Sequence, residues 1–119
     1  MTKLFAPKEF WELPLAERSG RCGAGKGFWE KVVPDHLLWL YITAACSIHD
    51  YMFAVGETYD DFLEANRVFH NNMYRLIQDG SVWLRWVRRR LANHYYEVVQ
   101  SPIGAAVYWK DKNKSEEMG

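Results

Sequence analysis

The sequence predicts a small all-α domain, and three observations predict it. Apolar residues recur at three- and four-residue spacing over two long stretches, 35–55 and 58–78, which is the period of a buried helix face. Both stretches carry helix punctuation, with Asp35 and Thr58 at their starts and Gly56 and Gly80 at their ends. No run alternates apolar and polar residues in the manner of a half-buried strand, with 105–109 alone undecided.

Residues 1–20 read as an irregular lead-in, with one helical turn at 8–12 behind Pro7. Gly20, Gly23, Gly25 and Gly27 make the next segment a loop, and the chain stays irregular to Pro34. The first long helix is predicted over 35–55. Leu37, Leu38, Tyr41, Ile42, Ala45, Ile48, His49, Met52 and Phe53 line one stripe of it, so His49 faces inward. Asp50 sits on the adjacent strip, four residues after Cys46.

The second helix is predicted over 58–78. Thr58-Tyr59-Asp60-Asp61 has the form of a capping box with Asp in place of Glu, and the two acids complement the helix dipole. Its inner stripe is Phe62, Asn66, Phe69 and Met73, with Leu76 or Ile77. Asn66 is polar on that apolar stripe and needs a partner once buried. A third, C-terminal helix runs from 81 to about 100 and stops at Ser101-Pro102. The tail from Lys110 to Gly119 is polar and expected to fray. Without repeats or low-complexity stretches, residues 1–119 read as one domain.

The chain has 15 basic and 15 acidic residues and no net charge, which disfavours a protein that coats duplex DNA. The N-terminus does not read as a secretory signal, and no run reaches the length of a membrane span. Aromatic residues make up 16% of the chain, six of them Trp. Rings of this kind fill a core or sit at an interface where one edge is apolar and the other wet. Trp83, Arg85, Trp86, Arg88, Arg89 and Arg90 open the third helix, with Arg85, Arg88 and Arg89 on one face. That pattern is a solvated face behind a core stripe, a surface for an anionic bilayer, or a surface for single-stranded nucleic acid. Two cysteines, Cys22 and Cys46, are compatible with one disulfide or with two buried thiols.

Gly20-Arg21-Cys22-Gly23-Ala24-Gly25-Lys26-Gly27 has the outline of a phosphate-binding loop, but Gly27 stands where Ser or Thr would hold magnesium. A flexible loop of this kind can instead turn several carbonyl oxygens toward one point, which suits a hard cation such as calcium. One carboxylate from elsewhere would complete that cage, and Asp50 is the candidate.

Three segments together resemble the phospholipase A2 superfamily in its compact microbial and viral form. Arg21-Cys22-Gly23-Ala24-Gly25 resembles the calcium loop, Cys46-Ser47-Ile48-His49-Asp50-Tyr51-Met52-Phe53 the catalytic helix, and Asn66-Arg67-Val68-Phe69-His70-Asn71-Asn72-Met73 the second helix. The resemblance implies a Cys22–Cys46 disulfide tying loop to helix. It implies Ca2+ held by backbone oxygens of Arg21, Gly23 and Gly25 and by the Asp50 side chain. It implies His49 as general base on a water that attacks the sn-2 ester of a glycerophospholipid at a membrane surface. A non-catalytic module binding calcium or a lipid surface, on the same fold, is the alternative. A nucleic-acid or phage-assembly accessory role through the third helix ranks behind both.

Two residues depart from the family. Asn66 stands where a carboxylate orients the histidine, and Phe53 stands where a tyrosine hydroxyl supports that carboxylate. A neutral amide gives no charge to an imidazolium, and its NH2 facing His49 would select the wrong tautomer. A hydrolase that is slow, or not active on the usual substrate, is expected, and rescue by Asn66→Asp is its test.

Overall fold

Residues 3–14, 36–37 and 40–118 are described in the computed structural model of the chain. Their order is helix α1 (Lys8–Trp11), strands β1 (His36–Leu37) and β2 (Leu40–Tyr41), and helices α2 (Thr43–Val55), α3 (Tyr59–Gln78), α4 (Arg85–Gln100) and α5 (Pro102–Met118). A 3-10 turn at Val82–Leu84 leads into α4. Helix dominates, as the spacing of apolar residues predicts.

Contacts between the long helices run in opposite directions. Phe53 and His49 of α2 meet Phe62 and Phe69 of α3 respectively. Along the next pair, Asn66 of α3 reaches Val99 of α4 while Tyr74 reaches Asn93. The result is an antiparallel α2–α3–α4 layer. Its main core joins Leu37, Ile42, Ala45 and Ile48 to Val68, Phe69, Met73 and Ile77 and to Ala92, Tyr95 and Val99. A smaller cluster of Phe53, Phe62, Ala65 and Tyr108 lies where α5 covers the α2–α3 turn.

The start of α3 follows the sequence closely. The Asp61 N–H donates to Thr58 Oγ1 at 3.1 Å, and Asp61 Oδ2 accepts from the N–H groups of Thr58 and Glu57 at 3.2 and 2.9 Å. Aspartate therefore serves the reciprocal cap that glutamate usually provides. The end of α2 depends on Gly56 for packing: its backbone is extended, and a Cβ there would stand 2.6 Å from Tyr108 Oη and 2.9 Å from the Met52 carbonyl oxygen.

Three expectations change. Helix α2 begins at Thr43, not near 35, because His36–Leu37 and Leu40–Tyr41 pair as antiparallel strands, with His36 opposite Tyr41 and Leu37 opposite Leu40. The carbonyl of Leu37, which a continuous helix would bond to the Tyr41 N–H, instead accepts from Arg88 Nε at 3.1 Å. Asp35, the expected cap, lies outside the described residues. Second, residues 102–118 are helical, which settles the undecided stretch at 105–109 and extends helix through most of the polar tail.

Third, the arginine face of α4 is structural in large part. Arg88 is buried, while Arg85 donates to the Gln78 carbonyl at 2.7 Å and Arg89 to Gln78 Oε1 at 3.1 Å. These cations meet carbonyls and the negative dipole end of α3, where such groups are stabilising. The N-terminal segment is held by Asn72, fully buried, whose side chain accepts from the Phe5 N–H at 2.7 Å and donates to the Phe5 carbonyl at 2.8 Å.

Replacing Gly56 by Ala is expected to cost about 1–3 kcal/mol, the usual range for overpacking. In a cycle with Tyr108→Phe, which removes the nearest atom, the double variant is expected to lose less than the sum of the two single losses. Urea denaturation of the four proteins measures this, and strictly additive losses would contradict the packing account.

Candidate functional site

The third turn of α3, the middle of α2 and the end of α4 meet at one buried amide. Helix α4 stops because Pro102 has no N–H and biases Ser101 away from helical backbone. The last carbonyls of any helix lack partners within it. Val99 carries one of these, and Asn66 satisfies it: Nδ2 donates to the Val99 carbonyl at 3.1 Å and to Gln100 Oε1 at 2.6 Å. Gly104 keeps this corner tight, since any Cβ there would collide with the same Val99 carbonyl.

The orientation of Asn66 follows from chemistry. A backbone carbonyl only accepts, so the atom facing Val99 is the amide nitrogen. The amide oxygen therefore faces His49, and Asn66 Oδ1 lies 2.7 Å from His49 Nε2. That oxygen also only accepts, so Nε2 carries the proton and Nδ1 carries the lone pair. Nδ1 has no hydrogen-bond partner among the described residues. The sequence left open which end of the amide meets the imidazole, and it is the end that leaves a basic nitrogen free.

His49 is only 3% exposed, with its ring against Phe53 (centroids 4.2 Å apart) and Phe69 (4.6 Å). Burial lowers its pKa to about 4, partly opposed by the hydrogen bond to Asn66. The imidazole is neutral throughout the physiological range. Phe53 supplies an apolar wall and no hydroxyl. The nearby hydroxyl of Tyr108 is directed away, donating to the Thr58 carbonyl at 2.7 Å.

Asp50 is half-buried and makes no hydrogen bond or ion pair among the described residues. Burial alone raises its pKa to about 7. An unpaired, partly desolvated carboxylate of this kind takes up a proton or a cation. Cys46, 2% exposed on the inner side of α2, carries no free thiol. The structure thus brings together His49, Asn66 and Phe53, with Asp50 adjacent in the chain. Arg21, Cys22, Gly23 and Gly25 lie outside the described residues. Among the described residues no three His, Cys, Asp or Glu side chains cluster as a metal site.

Val99 and Gln100 were not singled out by sequence reasoning. The signal for them was Ser101-Pro102, which announces unpaired carbonyls one turn upstream. Comparison with family models, with curated proteins and with solved structures finds no match.

This geometry reverses the expected effect of Asn66→Asp. A carboxylate at 66 would face the Val99 carbonyl, an acceptor it cannot satisfy even if the Gln100 amide turns to donate, so a loss of about 1–3 kcal/mol is expected in place of a gain in function. Protonation would let it donate to Val99, which raises its folded pKa. The deficit is therefore smaller near pH 4 and grows as pH rises to 7. Urea melts at both pH values test this, and a variant as stable as the parent at pH 7 would contradict it.

The two perturbed groups also set opposing pH slopes. His49 has a lowered folded pKa, so its contribution is complete above pH 6.5 and is lost as pH falls toward 4. Asp50 has a raised folded pKa, so its contribution is complete below 3.8 and is lost as pH rises toward 7. Between about 4 and 6.5 the two largely cancel. Asp50→Asn, measured in chelator, is expected to unmask a steeper loss of stability on acidification through that window; an unchanged profile would count against the assignment.

Proposed function

We propose that the chain is a phospholipase A2-like lipid esterase that uses calcium, with His49 as general base. The observation that carries this reading is the fixed tautomer: Asn66 holds Nε2–H and leaves Nδ1 as a proton acceptor. Asp50 supports it as a carboxylate beside that histidine in the chain with no partner among the described residues.

In this reading His49 Nδ1 takes a proton from water as the water oxygen attacks the sn-2 ester carbonyl carbon. The imidazolium then returns the proton to the departing alkoxide of the lysophospholipid, leaving a free fatty acid. Asn66 Oδ1 stabilises the transient imidazolium through a neutral hydrogen bond, which is weaker than a carboxylate's. Phe53 and Phe69 pack against the ring and their burial of it lowers its basicity, so slow turnover is expected. The residues that would hold Ca2+ are Asp50 and the backbone oxygens of Arg21, Gly23 and Gly25, with a Cys22–Cys46 disulfide holding loop to helix. The ion would supply positive charge to the carbonyl oxygen of the ester as it becomes an oxyanion.

A second reading, a non-catalytic calcium or lipid-surface module, is favoured by one observation. The surroundings of Asn66 are built for a neutral amide, and His49 titrates near 4, far below the usual range of a catalytic histidine.

Hydrolysis of mixed phospholipid vesicles, with calcium or with chelator, separates the readings. His49→Ala is expected to lower the rate by about 10²-fold or more, the usual contribution of a positioned general base. Turnover that survives either the chelator or His49→Ala would overturn the esterase reading, and calcium binding without any turnover would favour the second. Calcium binding to Asp50 must displace its proton below about pH 7. Affinity is therefore expected to fall about tenfold per pH unit on acidification below 7 and to level off above it. Calorimetric titration checks this, with Asp50→Asn expected to abolish the heat.

A further inference from the structure

Outside the His49 site, the most exposed large side chains of the described residues gather where α3 hands over to α4. Trp83 is 88% exposed, Val82 66% and Trp86 64%. Trp86 and Arg90 share a face of α4 at four-residue spacing, and Trp83 precedes Trp86 by three residues on the 3-10 turn that leads into it. The β1–β2 pair borders the same end, since Leu40 lies beside Gly80, and it carries Tyr41 at 71% exposure. A contiguous exposed patch of such side chains marks a surface that meets another apolar or interfacial one.

Charge points to what covers them. From Gly80 to Tyr96 the chain has four arginines and no acid, although the whole chain has no net charge. Asp79 borders the segment at the tip, and Glu97 lies two turns beyond Arg90 on the same face. Arg85 and Arg89 are engaged by Gln78, and Arg88 is buried on Leu37. Arg90 is exposed and has no partner among the described residues. One free cation behind an aromatic tip is poorly suited to a polyanion, whose binding rests on several phosphate contacts at once. It suits a bilayer, where Trp settles among the headgroups and an arginine meets an anionic lipid. Arg90 lies four residues behind Trp86, about 6 Å along the axis, which matches the headgroup layer.

We propose that Val82, Trp83, Trp86 and Arg90 form an anchor that docks the protein on an anionic bilayer. Gln78, where α3 meets this tip, is twelve residues from Asn66, about 18 Å along the helix. The anchor is thus separate from the His49 site, and it stands whether or not His49 is catalytic.

The test is co-sedimentation with vesicles of phosphatidylcholine alone or mixed with phosphatidylglycerol, in chelator so that neither calcium nor hydrolysis contributes. The parent and His49→Ala are expected to bind the mixed vesicles equally and the neutral ones weakly. Trp83→Ala/Trp86→Ala is expected to weaken binding about tenfold or more. Arg90→Glu is expected to cost about fivefold or more on mixed vesicles only. Trp83, Trp86 and Arg90 are exposed, and unchanged thermal melts confirm that their variants fold. Equal binding by parent and tryptophan variant would overturn the proposal. So would a parent that ignores anionic vesicles while binding a single-stranded oligonucleotide, or one that forms dimers lost in the tryptophan variant.

Discussion

The carbonyl of Val99 has no helical partner, and the site is arranged around that fact. It is freed by the break at Ser101-Pro102 and taken up by the buried amide of Asn66. An amide has one accepting end and one donating end, so committing the nitrogen to Val99 and Gln100 commits the oxygen to His49. Helices α2, α3 and α4 are thereby linked through one fully buried side chain. Leaving any of its partners unpaired in this core would cost about 1–3 kcal/mol, more than one such bond contributes when made. The tautomer of the imidazole is thus a consequence of where a neighbouring helix ends.

That linkage gives Asn66 a meaning different from a lost aspartate. A carboxylate works where donors surround it, and here the surroundings accept. The neutral amide, the depressed basicity of His49 and the phenyl ring at Phe53 form a consistent set, in which the imidazole is kept uncharged. Asp50 is the complement: a carboxylate whose pKa is raised by burial, with no cation partner among the described residues. In the proposed esterase reading such a base would be slow, and most of the electrostatic help would have to come from an ion instead of from an oriented acid.

Much of the fold was legible because it rests on local chemistry. The cap at Thr58 and Asp61, the stops at Gly56 and Gly80, and the stripe through Phe62, Asn66, Phe69 and Met73 all follow from short-range spacing. What escaped depends on distant partners. The segment 36–41 has helical spacing, yet a buried arginine 51 residues away claims the Leu37 carbonyl. The arginines of α4 looked like a solvated face because nothing local announces that α3 ends beside them. Polar residues on inward stripes were the useful signal for the site: Asn66 and Asn72 both proved fully buried, with partners 33 and 67 residues away. The direction of the Asn66 amide was not legible, since it is decided by a carbonyl on another helix.

The most direct measurement is the protonation of the His49 ring by long-range nitrogen–proton NMR at neutral pH. The account predicts a neutral ring with the proton on Nε2 and an unprotonated Nδ1. A ring protonated on Nδ1 alone, or an imidazolium at pH 7, would contradict it.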